Sequence, residues 1–270
     1  MLALMQQASL AYKSSFINYY VFGNGPEALF CFHGYGEDGT SFAFLEENLG
    51  SAYTLYATDF PVHGKTKWNE GYAFTPDDLV VIMEMIHPSN NKKFSLLAYS
   101  MGGRAVMNLV QIIPEKINRV GLVAPDGLHQ NIWYWITTQT NIGNKAFAHT
   151  MNKPIWFFKV VNASGKLGLI NESVIKFVHY YLDDKEERLL LYQRWTFMRR
   201  LKPDLPAIKK ICSEKNIKMK FLFGKYDRII LSKRAAIFSG AKNIDIEVIN
   251  AGHQLLKAKY INHIIALLND

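Results

Sequence analysis

Between Phe94 and Ile113 the chain passes from an apolar run, Phe94-Ser-Leu-Leu-Ala-Tyr99, into a helical pattern, Gly102–Ile113, with only Ser100 and Met101 between them. A strand that leads into a helix through two residues must turn sharply, and the helix must pack back onto the sheet that holds its own strand. Positions two before and two after the serine must be small or strand and helix collide; here they are Ala98 and Gly102. Such a unit belongs in a mostly parallel sheet with helices on both faces.

The rest of the chain repeats the pattern. Strand-like apolar runs recur at Ala28–Phe32, Thr54–Thr58, Val120–Ala124, Met219–Phe223 and Ile244–Ile249. Thr75-Pro-Asp-Asp opens a helix through Ile86, with a cap residue, proline at the first helical position and acids in the first turn. Ser232–Phe238 and Leu255–Leu268 read as two more helices. Two alternating stretches, around Leu10–Tyr12 and Phe16–Phe22, end at the turn signal Gly23-Asn-Gly-Pro26.

The alternation stops between Asp126 and Pro206. That stretch holds no clear short strand, several helical patterns, an acid-capped helix start at Asp184-Lys-Glu-Glu187, and Trp133, Trp135, Trp156 and Trp195 out of five tryptophans. Pro203-Asp-Leu-Pro206 reads as its exit. The expected division is residues 1–125 and 207–270 as one core domain, with 126–206 a helical lid inserted after the strand ending near Ala124.

A chain of 270 residues, 49% hydrophobic and 20% charged, can bury a core of its own without staples. Two cysteines exclude a disulfide framework and a four-cysteine zinc site, and Cys31 reads as a small buried thiol in a strand. No HExxH, HxH or CxxC spacing occurs, so no metal is expected. The net charge of +8 invites a nucleic-acid partner, but the lysines and arginines are scattered, and none is expected. No apolar stretch reaches the ~18 residues of a membrane span. Met1-Leu-Ala-Leu-Met5 lacks a basic flank and a long apolar core, so no signal peptide and a cytoplasmic location are expected.

A serine on so tight a turn exposes its hydroxyl above the strand ends, where the helix amino terminus favours a developing anion. It needs a base. His253, in Asn250-Ala-Gly-His253, follows the last strand run and lies on the same rim. The base needs a carboxylate to fix its tautomer. Asp227, in Gly224-Lys-Tyr-Asp-Arg228, follows the penultimate strand; Asp126, in Ala124-Pro-Asp-Gly127, is its rival, and Asp227 is preferred because its strand would neighbour the histidine's.

These residues resemble the α/β-hydrolase family, in its lidded single-domain form, across essentially the whole chain. Ala98-Tyr-Ser-Met-Gly-Gly103 matches the family elbow Gly-x-Ser-x-Gly-Gly with alanine for the first glycine. His33-Gly-Tyr-Gly36 matches the oxyanion loop, and Asp59-Phe-Pro-Val-His-Gly64 corresponds loosely to Asp-x-Pro-Gly-x-Gly with Val62 in place of a glycine. The resemblance implies a Ser100–His253–Asp227 triad, backbone N–H groups of Tyr35 and Met101 as oxyanion donors, a bracing role for His33, and no cofactor. The implied reaction is hydrolysis of a carboxylic ester of a small-molecule acyl substrate, with the lid tryptophans forming an apolar pocket. Acyl transfer, carbon–carbon hydrolysis and ligand binding on the same scaffold remain alternatives. Ser100 at the elbow speaks against haloalkane and epoxide chemistry, whose nucleophile is an aspartate.

One motif pulls the other way. Gly34-Tyr-Gly-Glu-Asp-Gly39 matches the dinucleotide fingerprint G-x-G-x-x-G, with Asp59 about 20 residues on. Glu37 and Asp38 would put two negative charges where a pyrophosphate must sit, so the match is read as formal.

Overall fold

A computed structural model of the chain describes residues 6–72, 74–87, 92–129, 132–168, 175, 179 and 182–269. Met1–Met5, read above as lacking a signal, lie outside the described residues. Eight strands form one sheet: β1 (Gln6–Tyr12), β2 (Ser15–Phe22), β3 (Glu27–Phe32), β4 (Tyr53–Thr58), β5 (Phe94–Tyr99), β6 (Ile117–Val123), β7 (Lys218–Gly224) and β8 (Ile244–Ile249). Their order is β1-β2-β4-β3-β5-β6-β7-β8. The β1–β2 hairpin pairs antiparallel and joins β4 antiparallel, while β4, β3, β5, β6, β7 and β8 run parallel.

The central strands are continuous apolar runs because both of their faces are covered; β5 is buried along its whole length, and β3 at every position but the first. One face carries Leu29, Cys31, Leu97 and Tyr99 into a cluster with Leu255, Ile264, Leu267 and Leu268 from the carboxyl-terminal segment. Burial pushes the Cys31 thiol well up and Cys212 up to about 12, as befits packing residues.

Local chemistry sets the helix ends. Thr75 accepts the Asp78 N–H while Asp78 accepts the Thr75 N–H, a reciprocal cap with Pro76 inside it, so the helix Pro76–Ile86 starts where the sequence says. Two expected helices come out differently. Ser232–Phe238 is a 3₁₀ helix, and the last element is a 3₁₀ turn, Ala258–Tyr260, followed by an α-helix over Ile261–Ala266 only. Tight turns at its start account for the loss: Leu255 N–H donates to His253 O at 2.8 Å and Lys257 N–H to Leu255 O at 2.9 Å, which seats Leu255 wholly in the core.

The chain divides into two compact units, Met1–His129 with Arg200–Asp270, and Gln130–Arg199. Asp126–His129 and Arg200–Pro206 therefore belong to the first unit; Leu128 and Leu201 are buried, and Asp126 N–H bonds Ser100 O at 2.7 Å. The second unit contains the helices Ile132–Gln139, Asn141–Asn152, Ile155–Lys166 and Lys185–Phe197. Asp184 caps the last of these through the Glu187 N–H. Phe147, Met151 and Leu182 form its core with Phe157, Phe158, Leu191, Tyr192 and Trp195 packed around them. The buried Arg188 guanidinium donates from Nε to the Met151 carbonyl and from Nη1 to those of Leu182 and Asp183, which offsets the cost of burying its charge.

In the sheet, the chain leaves β3 towards β4 on one side and β5 towards β6 on the other. The strand order reverses between β3 and β5, and in an open parallel sheet the crevice for a ligand lies there, at the carboxyl ends. The turn that follows β5 depends on Gly102, where a Cβ would stand 2.1 Å from the Phe32 carbonyl oxygen. Because backbone cannot swing aside as a side chain can, Gly102→Ala is expected to destabilise the fold by ~3 kcal/mol, the upper range for overpacking, read as a lowered midpoint in urea.

Candidate active site

Ser100 sits directly after β5 with a φ of 48°, a left-handed conformation that a residue bearing a Cβ adopts only when its surroundings hold it. They do: Ser100 N–H donates to Val123 O at 3.0 Å, and Ser100 O accepts from Gly103 N–H at 2.9 Å and Asp126 N–H at 2.7 Å. The side chain is thereby aimed away from the sheet.

Ser100 Oγ lies 3.1 Å from His253 Nε2, and His253 Nδ1 lies 2.7 Å from Asp227 Oδ2. A carboxylate only accepts, so Nδ1 carries the proton and Nε2 is left to accept from the serine hydroxyl. The other carboxylate oxygen, Asp227 Oδ1, accepts the Ile229 and Ile230 N–H groups at 2.7 and 2.9 Å. Asp227 follows β7 and His253 follows β8, so neighbouring strands bring them together. Tyr99 packs its ring against His253, with centroids 5.5 Å apart, and donates its hydroxyl to the His253 carbonyl.

Asp126, the rival acid, is engaged elsewhere. Its carboxylate takes Arg104 Nε at 2.6 Å and a second guanidinium nitrogen at 3.3 Å, and accepts the Gly127 N–H at 2.7 Å. Of the other histidines, His263 pairs with Glu247 and His179 with Asp183.

The loop after β3 leaves the carboxyl end of the strand that neighbours β5. Gly34 to Glu37 form a turn, Glu37 N–H to Gly34 O at 3.3 Å, with Gly36 supplying a φ of 76°. His33 braces it: Nδ1–H donates to Gly34 O at 2.8 Å, and Nε2 accepts the Phe60 N–H at 3.1 Å. Tyr35 and Met101, whose backbone amides the resemblance names, follow the neighbouring strands β3 and β5 by three and two residues. The glycine-rich match to a dinucleotide loop is used internally: Glu37 accepts the Gly34 N–H, and Asp38 accepts the Thr40 N–H.

Asp59 is likewise committed, accepting the Gly39 and Lys65 N–H groups and the Asn18 side chain, each at 2.8 Å. Val62 holds a φ of 62°, so the position where the resemblance expects glycine does adopt the backbone that favours glycine.

Of the four tryptophans in the second unit, Trp195 packs against Tyr134 and Phe147 and serves that unit's cohesion. Trp133, Trp135 and Trp156 are exposed. The signals that sequence reading missed here are the inward turn of Glu37 and the Arg104–Asp126 pair, since side-chain direction is not written in residue spacing.

The sheet order, the strained serine after the fifth strand and the loop after the third are those of the α/β-hydrolase fold, and residues 27–158 match the model of the α/β-hydrolase fold family. It is 27% identical over 147 residues to a pimeloyl-[acyl-carrier protein] methyl ester esterase of Aeromonas salmonicida, covering 53% of this chain and 56% of that protein. The chain spans about half or less of the length of the curated relatives it matches, 28% of an acetyltransferase component from Cupriavidus necator. Among solved structures, a hydrolase from Pseudomonas aeruginosa superposes with a TM-score of 0.67 at 13% identity, covering 98% of both chains. The enol-lactonase of Burkholderia xenovorans does so with a TM-score of 0.65 at 14% identity, covering 97% of this chain and all of that one. Among the described residues no helix is long and apolar enough to cross a membrane.

Proposed function

We propose that this protein is a serine hydrolase that cleaves carboxylic esters of small-molecule acyl groups through an acyl-enzyme. The reading is carried by the unbroken hydrogen-bond chain from Ser100 Oγ through His253 to Asp227, all beyond the carboxyl ends of parallel strands of one sheet. Esterases among the relatives support the substrate class.

In this reaction Ser100 Oγ attacks the acyl carbon as its proton passes to His253 Nε2. The carbonyl oxygen becomes an oxyanion that the Tyr35 and Met101 N–H groups receive. Collapse breaks the ester bond, and the alcohol leaves with the proton from His253. Water then attacks the acyl-serine with His253 as base, and the carboxylic acid departs. Asp227 keeps Nδ1 protonated throughout and balances the charge of the imidazolium. The second unit, Gln130–Arg199, is proposed to act as the cap, and its exposed Trp133, Trp135 and Trp156 are proposed as apolar side chains available to an acyl group.

A fluorophosphonate probe tests the reading directly. Covalent labelling at Ser100, located by peptide mass and blocked by prior incubation with a substrate ester, is the expected result. A folded wild-type protein that resists labelling and turns over no member of an acyl-ester panel would overturn it.

A further inference from the structure

The Glu37 carboxyl group has no part in the triad, yet it is turned into the loop beside it. Its Oε2 accepts the Gly34 N–H at 3.2 Å, while the backbone N–H of the same residue donates to Gly34 O at 3.3 Å. Gly34 is thus held on both sides by one residue, and His33 adds a third bond, to Gly34 O at 2.8 Å.

The consequence follows from peptide geometry. The Gly34 carbonyl and the Tyr35 N–H belong to one planar trans amide, so the direction of one fixes the direction of the other. The Gly34 N–H belongs to the preceding plane. Bonds to both planes lock the two dihedrals of Gly34, the residue type with the most freedom to lose. Glycine is required there because a Cβ would meet the Tyr99 ring at 2.9 Å. The loop therefore carries its most flexible residue next to the amide that must not move.

We propose that Glu37 is a positioning residue: its side-chain acceptor locks the Gly34 hinge and so aims the Tyr35 N–H at the oxyanion. The proposal rests on the serine-hydrolase reading for its effect on rate, and on the loop geometry alone for its effect on structure. The acceptor is the working part, and the charge is not needed. Burial pushes this carboxyl above the ordinary glutamate range, against the pull of the Gly34 N–H, His253 and Ser41. A carboxylic acid keeps a carbonyl oxygen that accepts as a carboxylate oxygen does.

Three variants separate the possibilities. Glu37→Gln keeps an acceptor at the same reach, Glu37→Met keeps the length without one, and Glu37→Ala removes both. Glutamine is expected to hold kcat within ~3-fold of wild type, whereas methionine and alanine lower it by ~10²-fold with KM changed by less than ~3-fold, the scale of a misplaced oxyanion donor. The rate of fluorophosphonate labelling at Ser100 should fall in parallel. Amide hydrogen exchange at Gly34, which needs no substrate, should accelerate by at least ~10-fold in the methionine and alanine variants and stay near wild type in the glutamine variant. Unchanged exchange at Gly34 in Glu37→Met, or a glutamine variant as slow as methionine, overturns the proposal. If wild type itself is not labelled, the hydrolase reading fails, and the exchange measurements still decide the role of Glu37 in the loop.

Discussion

Ser100→Ala is expected to lower ester turnover by ~10⁶-fold and to abolish covalent labelling, the loss seen when a triad nucleophile is removed. The same change should leave the melting temperature within about 3 °C of wild type, since it removes one hydrogen bond, to His253 Nε2 at 3.1 Å, and no packing volume. Alanine keeps the Cβ and hence the backbone strain at φ 48°. Glycine would not. Ser100→Gly should be equally inactive yet more stable than Ser100→Ala, because relief of a left-handed Cβ is worth ~1–2 kcal/mol against a loss of ~0.5–1 kcal/mol in chain entropy. Activity assays with purified variants and calorimetry check both halves. An alanine variant that still labels would move the nucleophile elsewhere.

The second large effect concerns the acid. Asp227→Asn is expected to lower turnover by ~10⁴-fold. Asparagine can still accept the Ile229 and Ile230 N–H groups through its oxygen, which now bond Asp227 Oδ1. Its NH₂ would then face His253 Nδ1, where two donors cannot bond, and the imidazole must shift its proton to Nε2. Ser100 then has no base. Asp126→Asn should keep turnover within ~10-fold, because that carboxylate pairs with Arg104 and not with the histidine. It should instead cost ~1 kcal/mol, or about 3 °C in melting temperature, through the weakened and partly exposed ion pair. Nearly equal rates for the two variants would contradict the assignment of Asp227.

What could be read from the sequence was where side chains would stand along the fold. Ser100 follows an apolar run directly, Asp227 and His253 follow theirs by four residues, and the parallel sheet puts the carboxyl ends of such runs on one rim. The short Ser100–Met101 link between strand and helix left the elbow no alternative geometry. What could not be read was direction. Glu37 and Asp38 are adjacent acids in a glycine-rich loop, and nothing in their spacing says that Asp38 caps the next turn while Glu37 folds inward onto Gly34. The arginine that engages Asp126 lies a helical turn beyond the serine, a pairing set by the packing of the helix Gly102–Ile112 and not by sequence distance. The last helix was overestimated for a related reason. Residues 255–268 have a helical apolar rhythm, but burying Leu255 imposes two tight turns that a helix cannot accommodate.

The register of β6 against β7 pairs Val120 with Met219, and everything between them must be gathered before that contact can form. Closing a loop of ~95 residues costs ~2 kcal/mol more in chain entropy than closing one of ~10, by the logarithmic dependence on length. A second unit that condenses early shortens the span the chain must search, so its own helices act on the assembly rate of the sheet. The growing chain emerges with its first six strands ahead of the two that carry Asp227 and His253. In the proposed reaction Ser100 is therefore made long before His253, and the proposed site can be complete only when the carboxyl-terminal strands have joined the sheet.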